Sequence, residues 1–127
     1  MSDNSYEAGR NIVVQMWGEE IAVARESKAT DFNRPFEDLV TKYCFGDVWA
    51  EETLDPKTRS MITLAVLTAL TKPNQLKVHV RGAIANGVSV EEIRAILIHS
   101  AVYSGVPSGV EAFNAAKEVL GEMGLDK

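Results

Sequence analysis

The chain has 127 residues, enough for a single domain (1–127) with its own hydrophobic core, and a formal net charge of −5. This charge disfavours nucleic acid as a partner, because binding to the phosphate backbone depends on clustered lysines and arginines. Residues 1–10 are polar and acidic, unlike a signal peptide or a membrane anchor. We therefore predict a cytoplasmic protein that binds neither membranes nor nucleic acid.

The hydrophobic pattern predicts an all-α fold of about six helices. The first helix covers 6–26, and the second begins at Asp31 or Asn33 and ends at Gly46. Proline at the first helical position, glycine after the last one and a Ser-x-x-Glu capping box mark the later boundaries. They predict a helix that starts at Pro56 and three further helices over 73–86, 89–103 and 108–123.

Arg59 lies near the start of a helix that is apolar on nearly every side, as in helices at the centre of a core. On a helical wheel it shares a stripe with Thr63, Val66 and Leu70, so we expect it to point inwards. A buried guanidinium requires an anionic partner. That partner is either a structural carboxylate or the carboxylate of a ligand.

His79 lies on the shoulder of the predicted buried face of its helix, about 60° from Leu76. It is therefore neither fully solvated nor lost in the core, and a structural and a catalytic role both fit this position. Arg81 falls on the far side of the same helix. The two side chains can converge on one pocket only through different subunits or through the packing of other elements.

Glu92, His99 and Tyr103 form a second stripe on the next helix, beside its predicted buried face. Three proton-carrying groups on one flank suit acid–base chemistry or ligand binding. The alternative is structural, with Glu92 completing the capping box and Tyr103 packing at a helix interface.

Tyr43, Phe45 and Trp49 cluster around Gly46 and either wall a ligand pocket or pack in the core or an interface. Cys44 is the only cysteine, which excludes an internal disulfide and a thiolate metal cluster. We expect it to be a small buried apolar residue. His79 and His99 are too few and too far apart for a metal site of their own, so we predict no metal.

The chain resembles the carboxymuconolactone decarboxylase family, which includes alkylhydroperoxidase D-like proteins. The resemblance runs over nearly the whole chain, and its most specific segments are 45–49 (FGDVW), 54–60 (LDPKTRS), 76–83 (LKVHVRGA), 86–88 (NGV) and 103–107 (YSGVP). It implies an all-α fold and assembly into homo-oligomers, commonly trimers or hexamers, with sites near the subunit contacts.

Two chemistries occur in this family. The peroxidase branch uses a Cys-x-x-Cys pair, a histidine and a glutamate on the preceding helix. The matching positions here are Lys72, Gln75, His79 and Ser60, so only the histidine is present. A chain without the reactive thiolate lacks the nucleophile for peroxide reduction. We therefore do not expect thiol peroxidase activity.

The decarboxylase branch shares His79, Arg59 and Tyr103 with this chain. The resemblance implies loss of CO2 from 4-carboxymuconolactone, or a related small unsaturated lactone or ring acid of aromatic catabolism, without a cofactor. Arg59 would bind a carboxylate and His79 would act as general acid. Tyr103 or His99 would hydrogen-bond the lactone carbonyl or the carboxylate. Further candidates for substrate contact are Trp49 and Arg81.

The chain departs from the decarboxylase pattern at three places. Val13-Val14 and the segment 50–52 (AEE) replace arginines, and His99 replaces a glutamine. Fewer cations weaken the case for a dianionic substrate, since electrostatic stabilisation is usually the largest catalytic effect. Two alternatives follow: a paralogue with a less charged substrate, and a non-catalytic, ligand-binding oligomeric domain.

Overall fold

The computed structural model describes residues 4–127 and is all-α, as predicted. Its helices are α1 (Asn4–Trp17), α2 (Glu19–Lys28), α3 (Arg34–Leu39), a π-helix (Val40–Trp49), α4 (Pro56–Ala69), α5 (Pro73–Ala85), α6 (Val90–Ser104) and α7 (Val106–Glu122). None of the helices within 4–127 is long and apolar enough to cross a membrane. The contacts divide the chain after Asp55 into two compact units. A single domain stays a prediction.

The N-terminal unit packs α1 against α2 and the π-helix. Its core contains Val13, Met16, Ala22, Phe45 and Trp49. One helix over 6–26 was predicted, but the structure has two, because Gly18 separates them with a φ of 96°. Residues with a Cβ atom rarely adopt such a value, so this glycine provides the break.

Gly46 does not end a helix as predicted, because the π-helix continues past it to Trp49. A Cβ atom placed on Gly46 would collide with the carbonyl oxygen of Ser5, and one on Gly9 would collide with that of Thr41. The two glycines therefore allow the backbones of α1 and the π-helix to touch. Ser5 Oγ also donates a hydrogen bond of 2.8 Å to Asp47 across this contact.

The C-terminal unit packs α4 to α7 around a second core. Its most buried large side chains include those of Leu64, Leu76, Val80, Ile93 and Leu97. The predicted helix starts at Pro56, Pro73 and Ser89 are confirmed. The capping box of Ser89 and Glu92 is present, and Gly105, with a φ of 107°, separates α6 from α7.

One prediction about α4 is wrong for the single chain. Its buried residues are Ser60, Leu64 and Thr68, whereas Val66 and Leu70 are 48% and 61% exposed. The part of the stripe formed by Val66 and Leu70 therefore does not face the core of its own unit, whereas Arg59 is half-buried. Hydrophobicity cannot distinguish a face buried in the same chain from an apolar face that remains exposed.

Candidate active site

Arg59 and His79 lie on α4 and α5, two helices that pack against each other in the C-terminal unit. Both side chains are half-buried. The position of His79 agrees with its predicted place on the shoulder of α5, since its neighbours Leu76 and Val80 are fully buried. The structure thus brings a cationic and a titratable group onto adjacent helices.

Burial lowers the pKa of His79 from 6.5 to about 4. The imidazole is therefore neutral at pH 7 in the free protein. Anions have the opposite effect, because a nearby negative charge favours the imidazolium and raises the pKa. A carboxylate bound beside His79 would consequently help to load it with the proton that a general acid needs.

This titration predicts a loss of stability in mild acid. The folded-state pKa of His79 lies below the unfolded value, so the unfolded chain binds the proton more tightly between pH 6.5 and about 4. The stabilisation is complete above pH 6.5 and falls by about 3 kcal/mol as the pH drops through this window. Urea unfolding of the wild type and of His79→Gln should show it, since the wild type should lose stability relative to the variant as the pH falls towards 4. Parallel curves would contradict the assigned titration.

The predicted stripe on α6 separates into two parts with different roles. Glu92 completes the capping box and forms a 3.1 Å ion pair with Lys57. Its hydrogen bond to the Ser89 backbone and its contact with Lys57 lower its pKa. His99 and Tyr103 instead form an exposed pair, with ring centroids 5.2 Å apart. Tyr103 is 82% exposed, so this pair is accessible to a ligand.

Arg81 and Trp49 each have partners within their own unit. Arg81 is exposed on the other side of α5, as predicted, and forms a 2.6 Å ion pair with Glu122 of α7. Trp49 belongs to the N-terminal unit, where it is 8% exposed and lies 6.1 Å from the Phe45 ring, measured between centroids. Both aromatic rings belong to the core of this unit. Tyr43, the third aromatic of that segment, is exposed.

Three residues flagged by the sequence have local structural roles. Val13 is buried in the core of the N-terminal unit. Glu51 accepts hydrogen bonds from the amide and hydroxyl of Thr53, at 2.8 and 2.6 Å. Cys44 is half-buried, and burial raises the pKa of its thiol, which disfavours the thiolate required for peroxide chemistry.

Two open hollows of about 440 and 480 Å³ lie along α6 and α7, and neither is lined by Arg59 or His79. Within 4–127, no group of three or more His, Cys, Asp or Glu side chains is arranged to hold a metal ion.

The sequence did not predict one polar contact between α4 and the end of α5. Asn86 Nδ2 donates a hydrogen bond of 3.0 Å to the Oγ of Ser60, the residue after Arg59. Asn86 was identified only as a helix-end signal. Its partner lies 26 residues away, beyond the reach of any local pattern.

Comparison with known proteins identifies relatives of this chain. The chain is 30% identical over 123 residues to 4-carboxymuconolactone decarboxylase of Acinetobacter baylyi, covering 97% of this chain and 92% of the relative. It is 36% identical over 122 residues to nitrosuccinic acid decarboxylase of Metarhizium robertsii, covering 96% and 85%. An uncharacterised 15.0 kDa protein of Paracoccus denitrificans is 35% identical over 81 residues, covering 61% and 60%.

The sequence profile of the carboxymuconolactone decarboxylase family matches residues 34–118, a span that includes α4, α5 and α6 completely. The two relatives that align with nearly the whole chain are both decarboxylases by name. Their similarity supports a decarboxylase, and the chain belongs to the carboxymuconolactone decarboxylase family.

Proposed function

We propose that this protein is a cofactor-free decarboxylase of a small organic acid and that Arg59 and His79 form the centre of its site. The main support is their placement on packed helices, in a family with two decarboxylases among the relatives of this chain. An arginine fork can hold a carboxylate through two parallel hydrogen bonds. The half-buried imidazole is the candidate proton donor.

The names of the two relatives suggest a shared substrate chemistry. A lactone carbonyl or a nitro group can accept the electron pair that CO2 leaves behind when the carbon–carbon bond breaks. A proton then adds to the resulting carbanion. The protein has to bind the acid, stabilise the delocalised anion and supply one proton, and an arginine and a histidine are sufficient for these tasks.

The substrate class we favour is an acid with fewer charges than 4-carboxymuconolactone. Val13 is buried, and Glu51 is engaged by Thr53. These positions therefore offer no cation for a second carboxylate. A monoanionic lactone or nitro acid needs only one guanidinium partner. His99 and Tyr103 are candidates for hydrogen-bonding its carbonyl or nitro oxygens.

The test is CO2 release by the purified protein from 4-carboxymuconolactone, from nitrosuccinic acid and from monocarboxylic analogues of each. We expect turnover without added metal or cofactor, with a higher kcat/KM for the monocarboxylic compounds. Turnover of the dicarboxylic acids alone would contradict the charge argument. Binding of these acids without CO2 release would favour a ligand-binding domain over an enzyme.

We also propose that the active form is a homo-oligomer, a trimer or hexamer, built on the outer face of α6 and α7. Val102 and Val106 are 76% and 73% exposed there and line an apolar hollow together with Ile98, Ala101 and Val110. A second copy of the chain presents the same apolar face and can cover this one. Apolar patches of this kind commonly mark interfaces.

Placing a charge in this patch should therefore weaken the assembly. We expect Val102→Glu to lower the mass measured by light scattering, because the carboxylate would be desolvated at the contact. Asn74→Glu, on the exposed surface of α5, adds the same charge and should leave the mass unchanged. An unaltered mass for Val102→Glu would place the interface elsewhere.

A further inference from the structure

The end of α5 is joined to the start of α4 by the side chain of Asn86. Its Nδ2 donates to Ser60 Oγ at 3.0 Å and lies 3.5 Å from the carbonyl oxygen of Pro56. Ser60 is 1% exposed, so the hydrogen bond is shielded from water on that side. Replacing it with solvent contacts would require the two helices to separate.

The backbone around Asn86 holds this side chain in place. The amides of Asn86 and Val88 donate to Gly82 and Ala83 at 3.0 and 2.9 Å, and Gly87 adopts a φ of 94°. This is a helix end closed by a left-handed glycine. Because the backbone of Asn86 is fixed, its side-chain carboxamide contacts α4 from a defined position.

Both ends of the hydrogen bond are close to the proposed functional residues. Asn86 follows His79 by seven residues, which places both on the same face of α5, about 10 Å apart along the axis. Ser60 follows Arg59 directly. A shift of α4 against α5 would therefore move the guanidinium relative to the imidazole.

We propose that Asn86 is a positioning residue, which acts through Ser60 to fix the first turn of α4, and with it Arg59, against the His79 face of α5. This inference rests on the proposed function for its catalytic consequence. The structural part, the alignment of the two helices around His79, can be tested without a substrate. Small displacements of binding groups reduce rates steeply, since catalysis depends on geometry.

The experiment compares Asn86→Ala, Ser60→Ala and the double variant. Ser108→Ala is the matched control, because it removes a 2.8 Å side-chain hydrogen bond to Thr71 elsewhere in the same unit. With the acid that the wild type decarboxylates best, we expect each single variant to lose about 10-fold in kcat and to show a higher KM, because a displaced Arg59 binds the carboxylate less well. The double variant should lose no more than either single variant, because all three lack the same hydrogen bond. The control should keep wild-type kcat.

A second measurement separates failure of this inference from failure of the proposed function. In the free protein, NMR titration of the His79 ring should show its pKa rising from about 4 towards 6.5 in Asn86→Ala and Ser60→Ala, because a loosened α4 admits water. The pKa should not move in Ser108→Ala.

If the wild type turns over none of the acids, this titration still decides the structural part. An unchanged pKa in both variants, or multiplicative losses of kcat in the double variant, would overturn the proposal. If Asn86→Ala does not fold, Ser60→Ala tests the same hydrogen bond, because it leaves the end of α5 intact.

Discussion

Replacing His79 by glutamine is expected to lower kcat by about 10²–10⁴ on the acid that the wild type decarboxylates best. Glutamine keeps a hydrogen-bonding group of similar reach, but it cannot carry a proton to the carbanion. KM should change much less, because binding of the carboxylate depends on Arg59. The measurement is steady-state CO2 release, combined with the circular dichroism and melting temperature of each variant.

Asn74→Ala is a suitable control for this variant, because Asn74 lies on the same helix and is exposed. It should retain wild-type kcat. A folded His79→Gln protein with wild-type turnover would remove His79 from the mechanism. Family membership would then remain, but without the acid–base chemistry proposed for it.

Gly46→Ala is expected to destabilise the N-terminal unit by about 3 kcal/mol, near the upper end of the usual cost of overpacking. The added methyl group would collide with the Ser5 carbonyl oxygen, which belongs to a helix backbone and not to a movable side chain. Either α1 or the π-helix must shift, which also disturbs the Ser5–Asp47 hydrogen bond. Thermal unfolding should show a decrease in melting temperature of about 10 °C.

Gly121→Ala in α7 provides the opposite control, because no atom of another element lies within 4 Å of the point that its Cβ atom would occupy. Alanine there should stabilise the protein by about 0.5–1 kcal/mol by restricting the unfolded chain. Equal melting temperatures for the two variants would show that the close approach of α1 and the π-helix is not rigid. A decrease for Gly46→Ala alone would confirm the contact.

Local signals predicted the C-terminal unit well. Prolines, a capping box and glycines at the ends of helices determine where α4 to α7 begin and stop, and each signal acts within a few residues. The placement of His79 and Arg81 on different sides of α5 followed from helical phase alone. The predictions agree with the structure here because the helix ends and the faces on which these residues lie are determined within a single helix.

Predictions were wrong where distant segments meet. A glycine signal also predicted the end of a helix at Gly46, but there the glycine allows the close approach of α1. The orientation of the Arg59 stripe depends on which helices cover α4, and composition carries no information about that. The Asn86–Ser60 hydrogen bond joins two helices and has no signature in either one. These features depend on packing, so they emerge only in three dimensions.

The hydroxyl groups of the helices show a common pattern. Within residues 4–127, the hydroxyl groups that donate to the carbonyl oxygen four residues earlier, at 2.7 to 3.0 Å, include those of Thr41, Thr63, Thr68, Ser100 and Ser104. Each such group satisfies its donor within its own helix and places no demand on a neighbouring element. When such a helix packs against a different apolar surface, these hydroxyl groups keep their hydrogen bonds, so no buried donor is left unsatisfied. A scaffold with this tolerance can diverge in its contacts and substrates while its secondary structure stays the same.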